Sequence, residues 1–147
     1  MKVYKHEFRV SATLAEVAQF HSDTQSLKLL TPPPLVIQFN GVEPLAEGSV
    51  AEFTIWMGPI PVRWKAVHRD VDPIAGFKDV QLEGPFRHWE HTHSFLETGP
   101  DLTVIMDEIQ AEFNQQPYKK LVCRMMWSNL PNLFAYRRWK TKQLLET

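Results

Sequence analysis

The chain has 147 residues, a formal net charge of −1, 44% hydrophobic and 22% charged residues, and a single cysteine. This length suits one domain, residues 1–147, with a substantial core, and the balance is that of a soluble globular protein. No apolar run reaches the ~18 residues of a membrane span, Cys123 alone excludes an internal disulfide framework, and no nucleic-acid motif is present. The first ten residues, MKVYKHEFRV, alternate instead of forming the apolar core of a signal peptide. With the lone thiol, this leads to the expectation of a cytoplasmic protein.

Residues 3–10 alternate, with Tyr4, His6, Phe8 and Val10 on one side and Lys5, Glu7 and Arg9 on the other, which predicts a half-buried strand. Ser11 offers an N-cap, and Leu14, Val17, Ala18 and Phe20 follow at helical spacing. A second short helix is expected over 24–30, ending at Thr31 because Pro32, Pro33 and Pro34 cannot continue it. The next stretch of about eighty residues is strand-like. Six strands are predicted, at 35–42, 49–57, 62–71, 77–83, 86–97 and 102–113, separated by Glu47-Gly48, Gly58-Pro59, Asp72-Pro73, Gly84-Pro85 and Gly99-Pro100. Connections this short cannot hold crossover helices, so the strands should form an antiparallel meander.

From Tyr118 the period becomes helical again. Val122, Met126, Leu130, Leu133 and Leu144 fall on one stripe, with Cys123 and Phe134 at its edge, in a long amphipathic helix kinked at Pro131. Seven basic residues and one acidic residue lie between Lys119 and the end. This bias is the ordinary mark of a solvated helix face; it also allows weak contact with an anionic membrane surface, with Trp139 at the interface. A twisted antiparallel sheet with a long helix across its concave side suits the element order. The space between them, lined by aromatic and apolar side chains, is a natural ligand pocket.

The order of elements, with GPIPVRW at 58–64, GPFRHWEHTHSF at 84–95 and LFAYRRWK at 133–140, resembles the START-like (Bet v 1-like, SRPBCC) superfamily, and in particular its bacterial polyketide cyclase/dehydrase-type branch. The resemblance covers essentially the whole chain. It implies an α+β helix-grip fold, with a sheet of about seven antiparallel strands wrapped around a long C-terminal helix and two short helices after the first strand. The superfamily includes lipid and sterol carriers, quinone-binding proteins, hormone receptors and aromatic cyclases, so it implies a cavity but no single chemistry.

On the strand at 86–97, Arg87, Trp89, His91, His93 and Phe95 share one face, and His88, Glu90, Thr92 and Ser94 the other. Trp89 and Phe95 turn the first face inward. A return through LETGPD that sets Phe95 opposite Thr103 would set His93 opposite Ile105, His91 opposite Asp107 and Trp89 opposite Ile109. Cross-strand neighbours have Cβ atoms about 5 Å apart, close enough for an imidazole to meet a carboxylate. Arg137 falls within the apolar helix stripe, where an unpaired guanidinium is costly. Asp107 is its expected partner, with Glu52 and Asp79 as alternatives.

Three chemistries compete for these residues. A metal would find His91 and His93, with only Asp107 or His68 as a third ligand, and none is expected on that count; nor is any other cofactor. Acid–base catalysis would use His91 oriented by Asp107, with Arg137 stabilising an oxyanion. The third reading is a cavity wall that orients a ligand. The expected lining is Trp64, Trp89, His91, His93, Phe95, Ile109, Met126, Leu130 and Phe134. Met106 and Met125 read as further core or lining, Trp56 as packing at the sheet's mouth, and His6 and His68 as ordinary strand residues. The first functional expectation is therefore binding of a small hydrophobic or aromatic ligand (lipid, polyketide-like or quinone-like) as carrier or sensor. Cyclase/dehydratase activity and a membrane-associated accessory role are the alternatives. The oligomeric state is left open.

Overall fold

The alternation of residues 3–10 becomes strand β1 (Lys2–Val10) in the computed structural model, which describes residues 1–146. It is followed by α1 (Leu14–Ser22) and α2 (Ser26–Leu29), and then by β2 (Val36–Val42), β3 (Val50–Met57), β4 (Ile60–Asp72), β5 (Gly76–Glu83), β6 (His88–Gly99) and β7 (Leu102–Glu112). Helices α3 (Pro117–Ser128) and α4 (Leu130–Leu145) complete the order. The strands form one antiparallel sheet in the order β1-β7-β6-β5-β4-β3-β2. It is the expected meander, with β1 added beside the last strand.

Several boundaries differ from expectation for local reasons. The cap of α1 is Thr13, whose Oγ1 accepts the Glu16 N–H at 3.1 Å. The Ser11 N–H instead donates to Glu146 Oε2 at 2.8 Å, tying the end of β1 to the end of α4. Strand β6 starts at His88 and not at residue 86, because the Gln81 side chain bonds both the N–H and the carbonyl of Phe86 and holds a bend there. Arg87 is consequently exposed beside Glu112 rather than turned inward with Trp89.

The expected single, kinked C-terminal helix is two helices that meet at Asn129. Pro131 has no N–H to give the Trp127 carbonyl, so it breaks the ladder and sits in the first turn of α4, where no donor is needed. The break shifts the phase of the buried line. Leu130, Phe134 and Thr141 are buried, while Leu144, expected on the stripe, is exposed.

Helix α1 packs on β6 and β7, α2 on β2, and α4 on β1. Beneath α1 lies a core of Phe8, Val10, Val17, Ala18, Phe95 and Ile105. A second core joins Trp64, Phe86, Trp89 and Ile109 of the sheet side to Cys123, Leu130 and Phe134 of α3 and α4. Full burial of side chains this size contributes about 1.5–3 kcal/mol each. Beside this second core, β2 to β6, the segment after α1 and the start of α4 line a cavity.

Candidate functional site: a cavity with a histidine–aspartate cluster

The cavity has a volume of about 620 Å3, in the range of small-molecule sites. Its walls are mainly apolar, with Ile37, Phe53, Ile55, Trp64, Met126 and Leu133 among them, and its polar side chains include His68, Asp79, His91, His93 and Arg137. Of the residues expected from sequence, Trp64, Trp89, His91, His93, Ile109, Met126, Leu130 and Phe134 line it, and so does Met125. Phe95 does not. It is committed to the core under α1, where its ring lies 4.7 Å from that of His21.

The register of β6 on β7 sets Trp89 opposite Ala111, His91 opposite Ile109, His93 opposite Asp107 and Phe95 opposite Ile105. This is two residues away from the expected pairing. The strands run to Gly99 and resume at Leu102, and the turn between them is only Pro100-Asp101, with Asp101 at a φ of 53°. On the other side, β5 places Phe77 opposite His93 and Asp79 opposite His91. Two carboxylates from the flanking strands thus meet two histidines on the central one.

The four side chains form a closed cluster. His91 Nε2 donates to Asp107 Oδ1 at 2.8 Å, and His93 Nε2 donates to Asp79 Oδ2 at 2.7 Å. His93 Nδ1 is 3.4 Å from Asp107 Oδ1, and His91 Nδ1 is 3.9 Å from Asp79 Oδ2. The two imidazoles stack with centroids 3.8 Å apart, and Phe77 stacks on His93 at 4.4 Å.

Two imidazoles this close resist being charged together. Burial disfavours the charge on His93, but hydrogen bonding and attraction to Asp107 and Asp79 outweigh it and raise the pKa to about 9. Burial and the neighbouring His93 push His91 below its ordinary value, so it stays neutral and uses Nε2–H toward Asp107. For Asp107, burial opposes ionisation, yet the bonds from His91 and His93 prevail and hold the carboxyl well below the usual carboxylate range. Asp79 is lowered against its burial in the same way, chiefly by His93. The four groups titrate as one unit. Nearby, burial lowers His21 to about 4 despite its 2.8 Å bond to the Val17 carbonyl. His68 is also lowered by burial and lies 2.9 Å from Ser49 Oγ.

Arg137 does not pair with Asp107. Among the described residues it forms no ion pair, and its Nε is buried without an acceptor. The reason is competition, since both nearby carboxylates are already held by histidines. The guanidinium lies over the Phe134 ring at 5.2 Å instead. Glu52, an expected alternative, pairs with Lys65 at 4.0 Å. Burial lowers the pKa of Arg137, while Asp107 and Asp79 raise it from a distance.

Asp79 was expected only as an alternative partner for Arg137, and His68 as an ordinary strand residue; both line the cavity. Phe77 and His21 carried usable signals. Phe77 shares a strand face with Asp79 and turns it inward, and His21 follows buried Val17 by one helical turn. Donor atoms of Asp79, His91 and His93 lie within 4.8 Å of one another. They could offer three ligands to a metal, with Asp79 in the third place expected of Asp107 or His68, at the expense of their mutual hydrogen bonds.

The seven-stranded sheet, the two short helices after β1 and the C-terminal helices form a helix-grip fold similar to that of a solved START superfamily protein. Three solved structures illustrate the likeness. A START superfamily protein from Mycobacterium smegmatis is 14% identical with a TM-score of 0.65, over 98% of this chain and 97% of that one. The Zhui aromatase/cyclase from a Streptomyces species is 14% identical with a TM-score of 0.71, over 97% and 95%. Norcoclaurine synthase from Thalictrum flavum, in complex with dopamine and hydroxybenzaldehyde, is 21% identical with a TM-score of 0.67, over 97% and 85%. No family model matches the sequence, and no curated protein matches it. At these identities the likeness is one of fold.

Proposed function

We propose that residues 1–147 act as one domain that binds a small hydrophobic or aromatic ligand in the cavity, as carrier or sensor. The observation that carries this reading is a cavity of about 620 Å3 whose walls are mainly apolar and whose polar groups include a pre-formed cluster. Such a wall takes up an apolar body, and a few placed polar groups orient it. A structurally similar enzyme held with two aromatic compounds is consistent with this use of the fold. The test is native mass spectrometry of the purified protein for a co-purifying small molecule, with titration of the neutral fluorophore N-phenyl-1-naphthylamine. Saturable binding that Trp64→Ala and Met126→Ala weaken supports the reading. Absence of both a bound molecule and saturable probe uptake overturns it.

One observation favours catalysis as a second reading. His91 is neutral, leaving Nδ1 as a proton acceptor, and it stacks on His93, which carries a proton at neutral pH. An acceptor and a donor side by side suit a cyclisation or dehydration of a polyketide-like substrate, in which a proton leaves a carbon next to a carbonyl and a hydroxyl departs as water. His91→Ala with intact probe binding and lost turnover is the outcome this reading requires.

A membrane-associated role is the third reading. No helix among the described residues is long and apolar enough to cross a membrane. Exposed Tyr118, Leu121 and Met125 on one face of α3, with Trp139 on α4, give it a surface to use. Absence of flotation with both anionic and neutral liposomes argues against it.

A further inference from the structure

Arg137 is unexplained by the histidine–aspartate cluster. Its neighbour Arg138 is exposed, the usual fate of a helix arginine, whereas Arg137 continues the buried line of Leu130, Phe134 and Thr141 and lines the cavity. A guanidinium carries five N–H donors in a planar fork and remains charged under all ordinary conditions. Here Nε is buried without an acceptor, and among the described residues no carboxylate pairs with the group. Of the acids in the cavity wall, Asp79 is bonded to His93 and Asp23 forms no ion pair with Arg137 among the described residues; Asp107, outside the lining, is bonded to His91. A half-buried cation whose Nε–H is enclosed without an acceptor is costly unless something that enters the cavity supplies one.

Resting on the ligand-binding reading above, we infer that the ligand is an amphipathic monocarboxylate, with its carboxylate held by Arg137 and its apolar body against walls such as Ile55, Trp64 and Leu133. A planar carboxylate matches the guanidinium fork with two parallel hydrogen bonds. It also supplies an acceptor for the unsatisfied Nε–H while adding only a single negative charge to the site. A phosphate would set up to two negative charges beside Asp79 and Asp107 against the same single guanidinium. A neutral alcohol would leave the charge unmet.

The experiment is displacement of N-phenyl-1-naphthylamine by decanoate and by 1-decanol, near pH 7.5, with the wild-type chain, Arg137→Met and Arg137→Lys. Chain length is matched, and transfer from water alone favours the alcohol over the ion. The expected result is that decanoate displaces the probe at a concentration about tenfold or more below that of decanol, the scale of a charge-assisted hydrogen bond. Arg137→Met should abolish that preference, and Arg137→Lys should keep part of it. Decanol equal to or better than decanoate in the wild type overturns the inference, as does a preference that survives Arg137→Met. The wild-type comparison decides even if a variant fails to fold. Probe binding without carboxylate preference sinks this inference alone, whereas failure to bind the probe and both competitors sinks the ligand-binding reading with it.

Discussion

Asp107→Ala removes the carboxylate that two histidines share. His91 Nε2–H loses its acceptor at 2.8 Å, and an orphaned buried donor costs about 1–3 kcal/mol. His93 loses one of the two carboxylates that lift its pKa from 6.5 to about 9, a rise that corresponds to about 3 kcal/mol of stability in all, at ~1.36 kcal/mol per pH unit. Half of that added to the orphaned donor gives a loss on the order of 3 kcal/mol, the scale for breaking a buried charge pair. Urea unfolding at pH 7 measures it. The same variant makes a second, signed prediction. Because the folded-state pKa of His93 is raised, its stabilisation is fully present below pH 6.5 and is lost as pH rises toward about 9. Wild-type stability should fall through that window, and Asp107→Ala should show a much flatter profile. A loss within about 0.5 kcal/mol, the scale of surface substitutions, together with an unchanged pH profile, refutes the cluster.

The remaining predictions address its surroundings. His93→Gln should remove most of the stability change between pH 6.5 and about 9 in urea titrations, since it deletes the group that titrates there. His21, lowered to about 4 by burial, acts with the opposite sign: between pH 6.5 and 4 the unfolded chain takes up a proton that the folded chain refuses, so His21→Phe should flatten the acid-side decline. Gly76→Ala should cost more than about 2 kcal/mol by urea unfolding, because Gly76 has a φ of 128° and a Cβ there would meet the His93 carbonyl oxygen at 1.9 Å. Thr13→Ala should cost about 1 kcal/mol by thermal or urea unfolding, as the α1 cap is lost.

Much of the fold was legible because strand period and turn residues are local signals. The alternation of Tyr4, His6, Phe8 and Val10 survives as a strand with one buried side, Gly58-Pro59 falls between strands, and Asp72-Pro73 marks the end of β4. The errors arose where one side chain satisfies a distant backbone group or one residue withholds a hydrogen bond. Gln81 bonds Phe86 and delays β6, Glu146 takes the N–H of Ser11, and Pro131 divides the last helix and rotates Leu144 out of the buried line. None of these can be read from periodicity. The Gln81 and Glu146 contacts depend on partners that only the folded chain brings near, whereas Pro131 acts locally on the Trp127 carbonyl.

The site shows why a wrong register can still yield the right neighbours. The expected pairing of β6 with β7 was displaced by two residues, because the turn contracts to Pro100-Asp101. A displacement of one residue would have sent Asp107 to the outer face; two residues preserve the face, since side chains alternate with a period of two. Asp107 therefore moved from opposite His91 to opposite His93 and remained within reach of both. The expectation for Arg137 failed through competition, which no face assignment reveals. Asp79, carried inward by Phe77 on β5, faces His91 and bonds His93, and together the histidines engage both carboxylates that could have answered the guanidinium. Arg137 is left half-buried in the cavity wall, with no acceptor for its Nε–H among the described residues.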